Sequence, residues 1–277
     1  MAVYIYLVVS AALVLISDIF MSVFREPYSW WLVPLLFVGF FIALVAVHMI
    51  FTFAWIMTVN TKKPTGKRRA FRKWITVTID MLMKIVRVSV NTSGTEKVPA
   101  DRKLLFVCNH QHDLDPIMIL SVFPDNEIGF IGKKEIYKTM PLIGKAMHGL
   151  GSLPIDRENN REAAKTIIEA ARTLSEGKFS VGLFPEGYVS KSCELQPLRN
   201  GSLKIAYRAK APIAVCVINN TRSIPKRMFF RHTEVQFRVI SFMEYEEYAD
   251  MSTQELGDLI HGEMKKELDR IRGAQKQ

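Results

Sequence analysis

The sequence predicts an α/β protein in which a mostly buried, mixed β-sheet is flanked by helices and preceded by an N-terminal transmembrane helical hairpin. Three observations predict this fold class. Two apolar stretches open the chain, short apolar runs alternate with helix-periodic segments after residue 100, and 49% of the 277 residues are hydrophobic. This apolar content is enough for a buried core and excludes a low-complexity disordered chain.

The two apolar stretches predict a membrane hairpin over residues 1–60. Trp30–Val59 contains no Asp, Glu, Lys or Arg. About 20 apolar residues cross a bilayer, so this stretch is long enough to span one with some tilt. Met1–Phe24 is the weaker candidate because Asp18 interrupts it, and its alternative is a helix that lies in the membrane interface.

A basic block follows the second stretch and contains no acidic residue; its members are Lys62, Lys63, Lys67, Arg68, Arg69, Arg72 and Lys73. It accounts for most of the net charge of +10, since the remaining 30 basic residues exceed the 27 acidic residues by only three. A nucleic-acid-binding protein would spread basic residues over a face, so we predict an anionic membrane surface as partner and no nucleic acid. The positive-inside rule predicts an integral membrane protein with the following domain on the cytoplasmic side.

The segment after the block, Phe71–Val90, mixes apolar residues with Lys84 and Arg87. This pattern predicts a basic amphipathic helix at the membrane interface, and a core helix is the alternative. We therefore divide the chain into the hairpin, a basic juxtamembrane helix over residues 61–92 and an α/β domain over residues 93–277.

Strands and helices alternate through the predicted domain. Short apolar runs predict strands at Leu104–Cys108, Asn126–Gly132, Phe179–Phe184, Ile213–Ile218 and Val235–Ile240. Helical periodicity or helix-start signals predict helices at Pro116–Val122, Arg161–Glu176 and Ser202–Arg208, and after the capping box of Ser252 and Glu255.

The densest polar cluster, Asn109–Pro116, directly follows a predicted buried strand. Open α/β sheets place their sites at such strand ends. His110 has the chemistry of a general base, and Asp115 could orient its ring and stabilise the protonated form. Asp115 alternatively serves as the N-cap of the next helix. The spacing of His110 and His112 does not match a common zinc pattern, so we predict no metal site.

Two further clusters follow predicted strands. In Phe184–Ser190, Pro185 and Gly187 predict a turn that presents Glu186, which is alternatively a solvated carboxylate. Gly151–Arg157 ends in an arginine, the residue best suited to binding phosphate through two parallel hydrogen bonds.

In this order, the clusters resemble the PlsC-type 1-acylglycerol-3-phosphate acyltransferases of the glycerolipid acyltransferase superfamily. Asn109-His110 with Asp115 matches the N-H-x4-D signature. Gly151–Arg157 resembles the second block of the family, and Phe184–Ser190 resembles its F-P-E-G-x-x-S block. Leu198–Val215 resembles the fourth region, so the resemblance covers roughly residues 98–218.

The resemblance implies transfer of a fatty acyl group from acyl-CoA or acyl-carrier protein to the sn-2 hydroxyl of lysophosphatidic acid, which gives phosphatidic acid. It implies His110 as general base and Asp115 as its orienting carboxylate. The residues that it implies for substrate binding are Asn109, Lys134, Arg157, Glu186 and Gly187. It implies no metal or redox cofactor, and the partners are the membrane lipid acceptor and the acyl thioester donor.

One departure from the family concerns the acceptor. The third block usually has Thr-Arg where this chain has Tyr188-Val189, and that arginine is associated with the acceptor phosphate. An acyltransferase of the same superfamily with a different lyso-lipid acceptor is therefore the alternative. A non-enzymatic membrane-anchored binding protein and a zinc hydrolase are the more remote ones.

Overall fold

The structure, a computed structural model, describes residues 2–21, 31–61, 69–190 and 193–275. The strands are β1 Val88–Ser93, β2 Leu105–Cys108, β3 Ile128–Lys133, β4 Leu153–Ile155, β5 Ser180–Leu183, β6 Ile213–Asn219 and β7 Thr233–Met243. The helices are α1 Ala2–Met21, α2 Leu32–Met57, α3 Arg69–Ile85, α4 Asp115–Val122, α5 Lys134–Thr139, α6 Pro141–Gly149, α7 Asn160–Ser175, α8 Lys204–Ala209, α9 Ile224–Arg227, α10 Tyr245–Tyr248 and α11 Thr253–Gln275.

All seven strands form one sheet in the order β1-β7-β6-β2-β5-β3-β4. The five strands from β6 to β4 are parallel, β7 is antiparallel to β6, and β1 is parallel to β7. The predicted α/β class and mixed sheet are thereby confirmed. The five strands and four helices predicted for the domain all form, with bounds that differ from the prediction by up to four residues.

Helices cover both faces of the sheet, which explains why β2 is apolar at every position. Leu105 and Val107 point into one core, together with α7, α8 and α11. Phe106 and Cys108 point into the other, together with α3 and α4. Successive side chains of a strand alternate between faces, so a strand covered on both sides has no polar position.

The predicted helix over Phe71–Val90 is correct only to Ile85. Arg87 adopts a left-handed φ of 60°, and the chain turns there into β1, which pairs with β7 from Val88 onward. β-branched Val88 and Val90 favour this strand. The division of the chain at residue 92 stays a prediction, and β1 crosses it.

α3 packs one face against the core, and Arg72 anchors it there. The buried Arg72 guanidinium donates to the carbonyl oxygens of Ile128, at 2.9 Å, and Leu150. It also lies over the ring of Phe179, and burial lowers its pKa to about 10. Contrary to the sequence interpretation, Arg72 does not contribute to a basic surface for lipid; Lys62, Lys63, Lys67 and Arg68 lie outside the described residues.

α2 has the length and composition of a membrane-spanning helix, the one such helix in the described ranges. α1 carries a shorter apolar stretch and packs beside α2. His48 of α2 connects them to α3, since its two ring nitrogens lie 2.6 Å from the Tyr6 hydroxyl and 2.8 Å from the Thr78 hydroxyl. The hairpin topology stays a prediction, and Trp30 lies outside the described residues.

We predict that Arg72→Met lowers the free energy of unfolding by about 2–4 kcal/mol, because two buried carbonyl groups lose their donor. The neighbouring, exposed Lys73 provides the matched control, and Lys73→Met should change stability by less than about 0.5 kcal/mol. Chemical unfolding of the detergent-solubilised chain measures both. Equal effects of the two substitutions would contradict the anchoring role of Arg72.

Candidate active site

The loop between β2 and α4 brings His110 and Asp115 together. His110 Nδ1 lies 2.8 Å from Asp115 Oδ2, and the Asp115 side chain is fully buried. The same oxygen accepts the backbone N–H groups of Gln111, at 2.7 Å, and His112, at 2.8 Å. Leu114, and not Asp115, occupies the N-cap position of α4. The N-cap alternative is therefore wrong, and the carboxylate instead organises the loop that carries the histidine.

The bond to Asp115 defines the tautomer of His110. A carboxylate can only accept a hydrogen bond, so Nδ1 must carry the proton and donate it to Asp115. Nε2 then has a free lone pair. Among the described residues, Nε2 has no hydrogen-bond partner. The imidazole stacks on Phe184, with ring centroids 4.2 Å apart and planes 20° apart, and Phe184 stacks on Phe130. This aromatic support, which the sequence analysis did not identify, holds the ring in one plane.

Glu186 is buried beside the histidine loop, so the solvated alternative is wrong. One carboxylate oxygen accepts the backbone N–H of His110 at 2.6 Å, and the other accepts that of Gln196 at 2.9 Å. Burial raises the pKa of the Glu186 carboxyl, against the lowering effect of these two hydrogen bonds. The side chain holds the backbone of the candidate base.

The rest of the third block is also bonded to the histidine loop. The Ser190 N–H donates to the carbonyl oxygen of His110 at 2.9 Å, so both backbone groups of His110 are held by this block. Arg222 extends the network, because its guanidinium donates to the Ser190 carbonyl at 3.0 Å. Arg222 has no sequence signal of its own, since it lies far along the chain.

Asn109 lies between two strands and has both ends of its amide occupied. Its Nδ2 donates to the carbonyl of Ile218 at 3.0 Å, and its Oδ1 accepts the Ile218 N–H at 2.8 Å. The side chain is buried. These bonds give Asn109 a structural role in joining β2 to β6, and the predicted contact with substrate stays a prediction.

A cavity of about 490 Å³ lies alongside the segment Phe184–Gly187, at the carboxyl ends of β4 and β5. Its wall is apolar, with Ile131, Ile155, Ile167 and Leu183, and its basic residues are Arg157, Arg199, Lys204 and Arg208. Within the part of the chain that the structure describes, no acidic residue lines it. The cavity therefore combines a place for an apolar group with a place for an anion.

Arg157 and Arg199 lie close enough to affect each other. Burial and, to a smaller extent, the positive charge of Arg199 lower the pKa of Arg157. Gly187, with φ of +80°, lies against Arg199: a Cβ atom there would come within 2.8 Å of its Nε. The two guanidinium groups favour an anionic ligand, and the carboxylate of Glu135 offsets part of their charge at Arg157.

The other predicted residues are also accounted for. Lys134 donates to Asp156 Oδ2 at 3.2 Å and does not line the cavity. His112 Nδ1 accepts the Leu114 N–H at 3.2 Å, which is a local loop contact. A larger hollow of about 1030 Å³ lies at the opposite edge of the sheet, where Lys103 and Glu127 precede β2 and β3. His110 lines neither space, and only the smaller cavity includes Phe184, on which the imidazole stacks.

Comparisons with known proteins find a family with sequence similarity to this region. The sequence model of the acyltransferase family matches residues 89–219, which include all three polar clusters. The chain is 27% identical over 217 residues to the 1-acyl-sn-glycerol-3-phosphate acyltransferase of Cocos nucifera, over 77% of this chain and 69% of the relative. It is 25% identical to the Saccharomyces cerevisiae enzyme of the same name, over 69% of this chain and 64% of that protein.

A solved structure has the same fold. The crystal structure of the 1-acyl-sn-glycerophosphate acyltransferase PlsC from Thermotoga maritima superposes with a TM-score of 0.62 at 22% identity. The match covers 84% of this chain and 92% of that one. The family match and the relatives confirm the resemblance drawn from the sequence blocks, and the solved structure confirms the fold.

Proposed function

We propose that this acyltransferase moves a fatty acyl group from a thioester, acyl-CoA or acyl-carrier protein, to the sn-2 hydroxyl of lysophosphatidic acid. The product is phosphatidic acid. One observation carries the proposal: the 2.8 Å contact of His110 with the buried Asp115, which leaves Nε2 available to a substrate hydroxyl. The names of the relatives in coconut and yeast support the choice of acceptor.

The reaction needs one base and no covalent enzyme intermediate. His110 Nε2 accepts the hydroxyl proton while the hydroxyl oxygen attacks the thioester carbonyl carbon. The carbon–sulfur bond then breaks, and the proton passes from the imidazolium to the departing thiolate. Asp115 stabilises the imidazolium between these steps, and its buried position strengthens this interaction.

Glu186 supports the base through the backbone. It holds the His110 N–H, while Ser190 holds the His110 carbonyl, so the residue is bonded on both sides. A base displaced by even a fraction of an ångström loses much of its alignment with the acceptor hydroxyl. Glu186 is thus a positioning residue for the proton transfer, in place of the direct substrate contact that the resemblance implies.

The phosphate of the acceptor binds between Arg157 and Arg199, beside Gly187. Arg199 supplies the second guanidinium group where the family's usual arginine is replaced by Val189. The apolar wall of the same cavity accommodates part of a lipid chain. Lys134 contacts the phosphate only if its ammonium group leaves Asp156. Asn109 has an indirect role, because it bonds β6 and so fixes the end of the strand from which the histidine loop begins.

The acceptor reaches the site from the membrane. α1 and α2 form an anchoring hairpin, and the α/β domain lies at the cytoplasmic surface, where the soluble thioester donor is present. Residues with exposed apolar side chains continue along α2, among them Leu35, Val38, Ile42 and Ile50. Such a helix is stable in lipid and costly to expose to water.

A different lyso-lipid acceptor is the second candidate. Tyr188 is exposed where the family usually has threonine, and Val189 carries no charge. A chain that lacks the usual arginine has a weaker preference for a phosphate monoester unless Arg199 replaces it.

We predict that the purified, lipid-reconstituted chain acylates lysophosphatidic acid in preference to lysophosphatidylcholine, lysophosphatidylethanolamine and a lyso-glycolipid. His110→Ala should lower kcat by about 10²–10⁴-fold, the range that general-base assistance supplies. Product formation with labelled acyl-CoA, and separately with acyl-carrier protein, is the measurement. Acylation of another acceptor alone would overturn the choice of substrate, and an unchanged kcat in a folded His110→Ala variant would overturn the base.

Glu186→Gln should lower kcat by at least about tenfold with little change in either KM, because a glutamine offers one acceptor oxygen to two backbone N–H groups. Steady-state kinetics test this split. Glu158→Gln, which changes an exposed carboxylate, is the matched control and should leave both parameters unchanged. A rise in acceptor KM alone would instead indicate a direct substrate contact.

Arg199→Ala should raise the acceptor KM by about 10- to 150-fold, the equivalent of about 1.5–3 kcal/mol for a charged hydrogen bond. The donor KM should stay unchanged, and Arg199→Lys should recover part of the loss. Arg161→Ala, an exposed arginine on α7 outside the cavity, is the control. An unchanged acceptor KM in Arg199→Ala would remove this residue from the phosphate site.

A further inference from the structure

The direction of α2 shows from which side of the domain it projects. His48 bonds Thr78, and Trp55 contacts Phe71 with ring centroids 5.8 Å apart, so α2 is antiparallel to α3. Before His48, α2 has 16 residues, whereas α3 has seven after Thr78. At about 1.5 Å per residue, α2 extends roughly 13 Å past the end of α3.

This end of α3 lies at the edge of the sheet that carries the catalytic loops. β1 follows α3 directly and pairs with β7 from their first residues, Val88 and Thr233. β7 is antiparallel to β6, so its start lies where β6 ends. His110 follows β2, which is parallel to β6 and ends at the same edge. The projecting half of α2 and the active site are therefore on one side of the molecule.

The connection from β6 to β7, residues 220–232, lies at this edge too. Its first part is bonded to the catalytic loops: Asn220 N–H donates to Gln111 Oε1 at 3.2 Å, and Arg222 bonds the Ser190 carbonyl. Its end is bonded to the turn after α3, because the Thr233 N–H donates to the Arg87 carbonyl at 2.9 Å. The connection therefore joins the loops of the active site to the turn that follows α3.

The tip of this connection is both aromatic and basic. Phe230 is 85% exposed and Phe229 is 55% exposed, and Phe229 has a left-handed φ of 70°. Lys226, Arg227 and Arg231 surround them and are exposed. No acidic residue occurs from Asn220 to Thr233. Two adjacent phenylalanines in water are costly, and aromatic residues among cations are typical of a membrane interface.

We propose that Phe229 and Phe230 insert into the surface of an anionic phospholipid bilayer beside the active site, while Lys226, Arg227 and Arg231 contact lipid phosphate groups. The charge of the tip complements such a surface, and the tip lies on the same side of the domain as the projecting, apolar half of α2. This second contact orients the catalytic edge toward the membrane. The proposed contact goes beyond the reaction. It depends on the proposed function in one respect only, that the acceptor is a membrane lipid.

Fluorescence from a single label tests the contact in the full chain reconstituted into phosphatidylcholine vesicles that contain phosphatidylglycerol. Cys108 and Cys216 are buried, so Cys193→Ser leaves no exposed thiol among the described residues. An environment-sensitive dye is then attached at Phe230→Cys. The same dye at Val38→Cys on α2 gives the reference signal for a position inside the bilayer. The dye at Asp125→Cys, exposed at the opposite edge of the sheet, gives the reference signal for water.

We expect the label at residue 230 to emit at shorter wavelength than the label at residue 125. It should also be quenched by nitroxide-bearing lipids and be several-fold less accessible to aqueous iodide. Equal iodide quenching at residues 230 and 125, with residue 38 protected, would overturn the proposal. Protection that decreases as the protein is diluted in lipid would assign the tip to a second copy of the chain and would overturn it as well.

The basic residues are tested by Lys226→Gln, Arg227→Gln and Arg231→Gln combined. Each charge near an anionic surface is worth about 1 kcal/mol, or roughly fivefold, so the combined variant should be several-fold more accessible to iodide at residue 230. Arg161→Gln, Lys265→Gln and Lys266→Gln combined remove the same charge elsewhere and should have no effect. Neither measurement requires turnover, so each outcome is independent of whether lysophosphatidic acid is the acceptor.

Discussion

The active site depends on one buried oxygen atom. Oδ2 of Asp115 accepts two backbone N–H groups of the loop and holds Nδ1 of His110. A loop without this carboxylate would leave two buried donors unpaired and the imidazole free to rotate. The same contact therefore determines the loop conformation, the histidine tautomer and the accessibility of Nε2. The remaining interactions of the site, from Glu186 to the Phe184 ring, hold this unit in place.

The fold places that unit at the carboxyl ends of the parallel strands. Parallel strands align their carboxyl ends at one edge, so loops from distant parts of the chain converge there. α3 connects this sheet to α1 and α2 through His48 and is itself held to the core by Arg72. Under the proposed function, this connection fixes the position of the two apolar helices relative to the edge of the sheet that carries His110.

The sequence predicted the parts of the structure that depend on local pattern. The strands and helices of the domain follow from periodicity, and the His110–Asp115 pair follows from a five-residue spacing across a single turn. Features that depend on distant contacts were not predictable. The sequence places Glu186 at a turn and the resemblance implies a substrate contact, but its burial and its bond to the backbone of His110, 76 positions earlier, come from the fold. Arg72 reads as part of a basic block because its carbonyl partners lie 56 and 78 positions away.

Between Phe184 and Arg199, the groups that hold the histidine loop differ from the side chains that the proposed function assigns to the acceptor. The ties to the histidine loop are the Glu186 carboxylate, which accepts the His110 N–H and the Gln196 N–H, and the Ser190 N–H, which donates to the His110 carbonyl. The side chains of Tyr188, Val189 and Arg199 are not part of those ties. Substitutions at these three positions remove none of these hydrogen bonds, so under the proposed mechanism the part of the site that selects the headgroup can change while the base keeps its position.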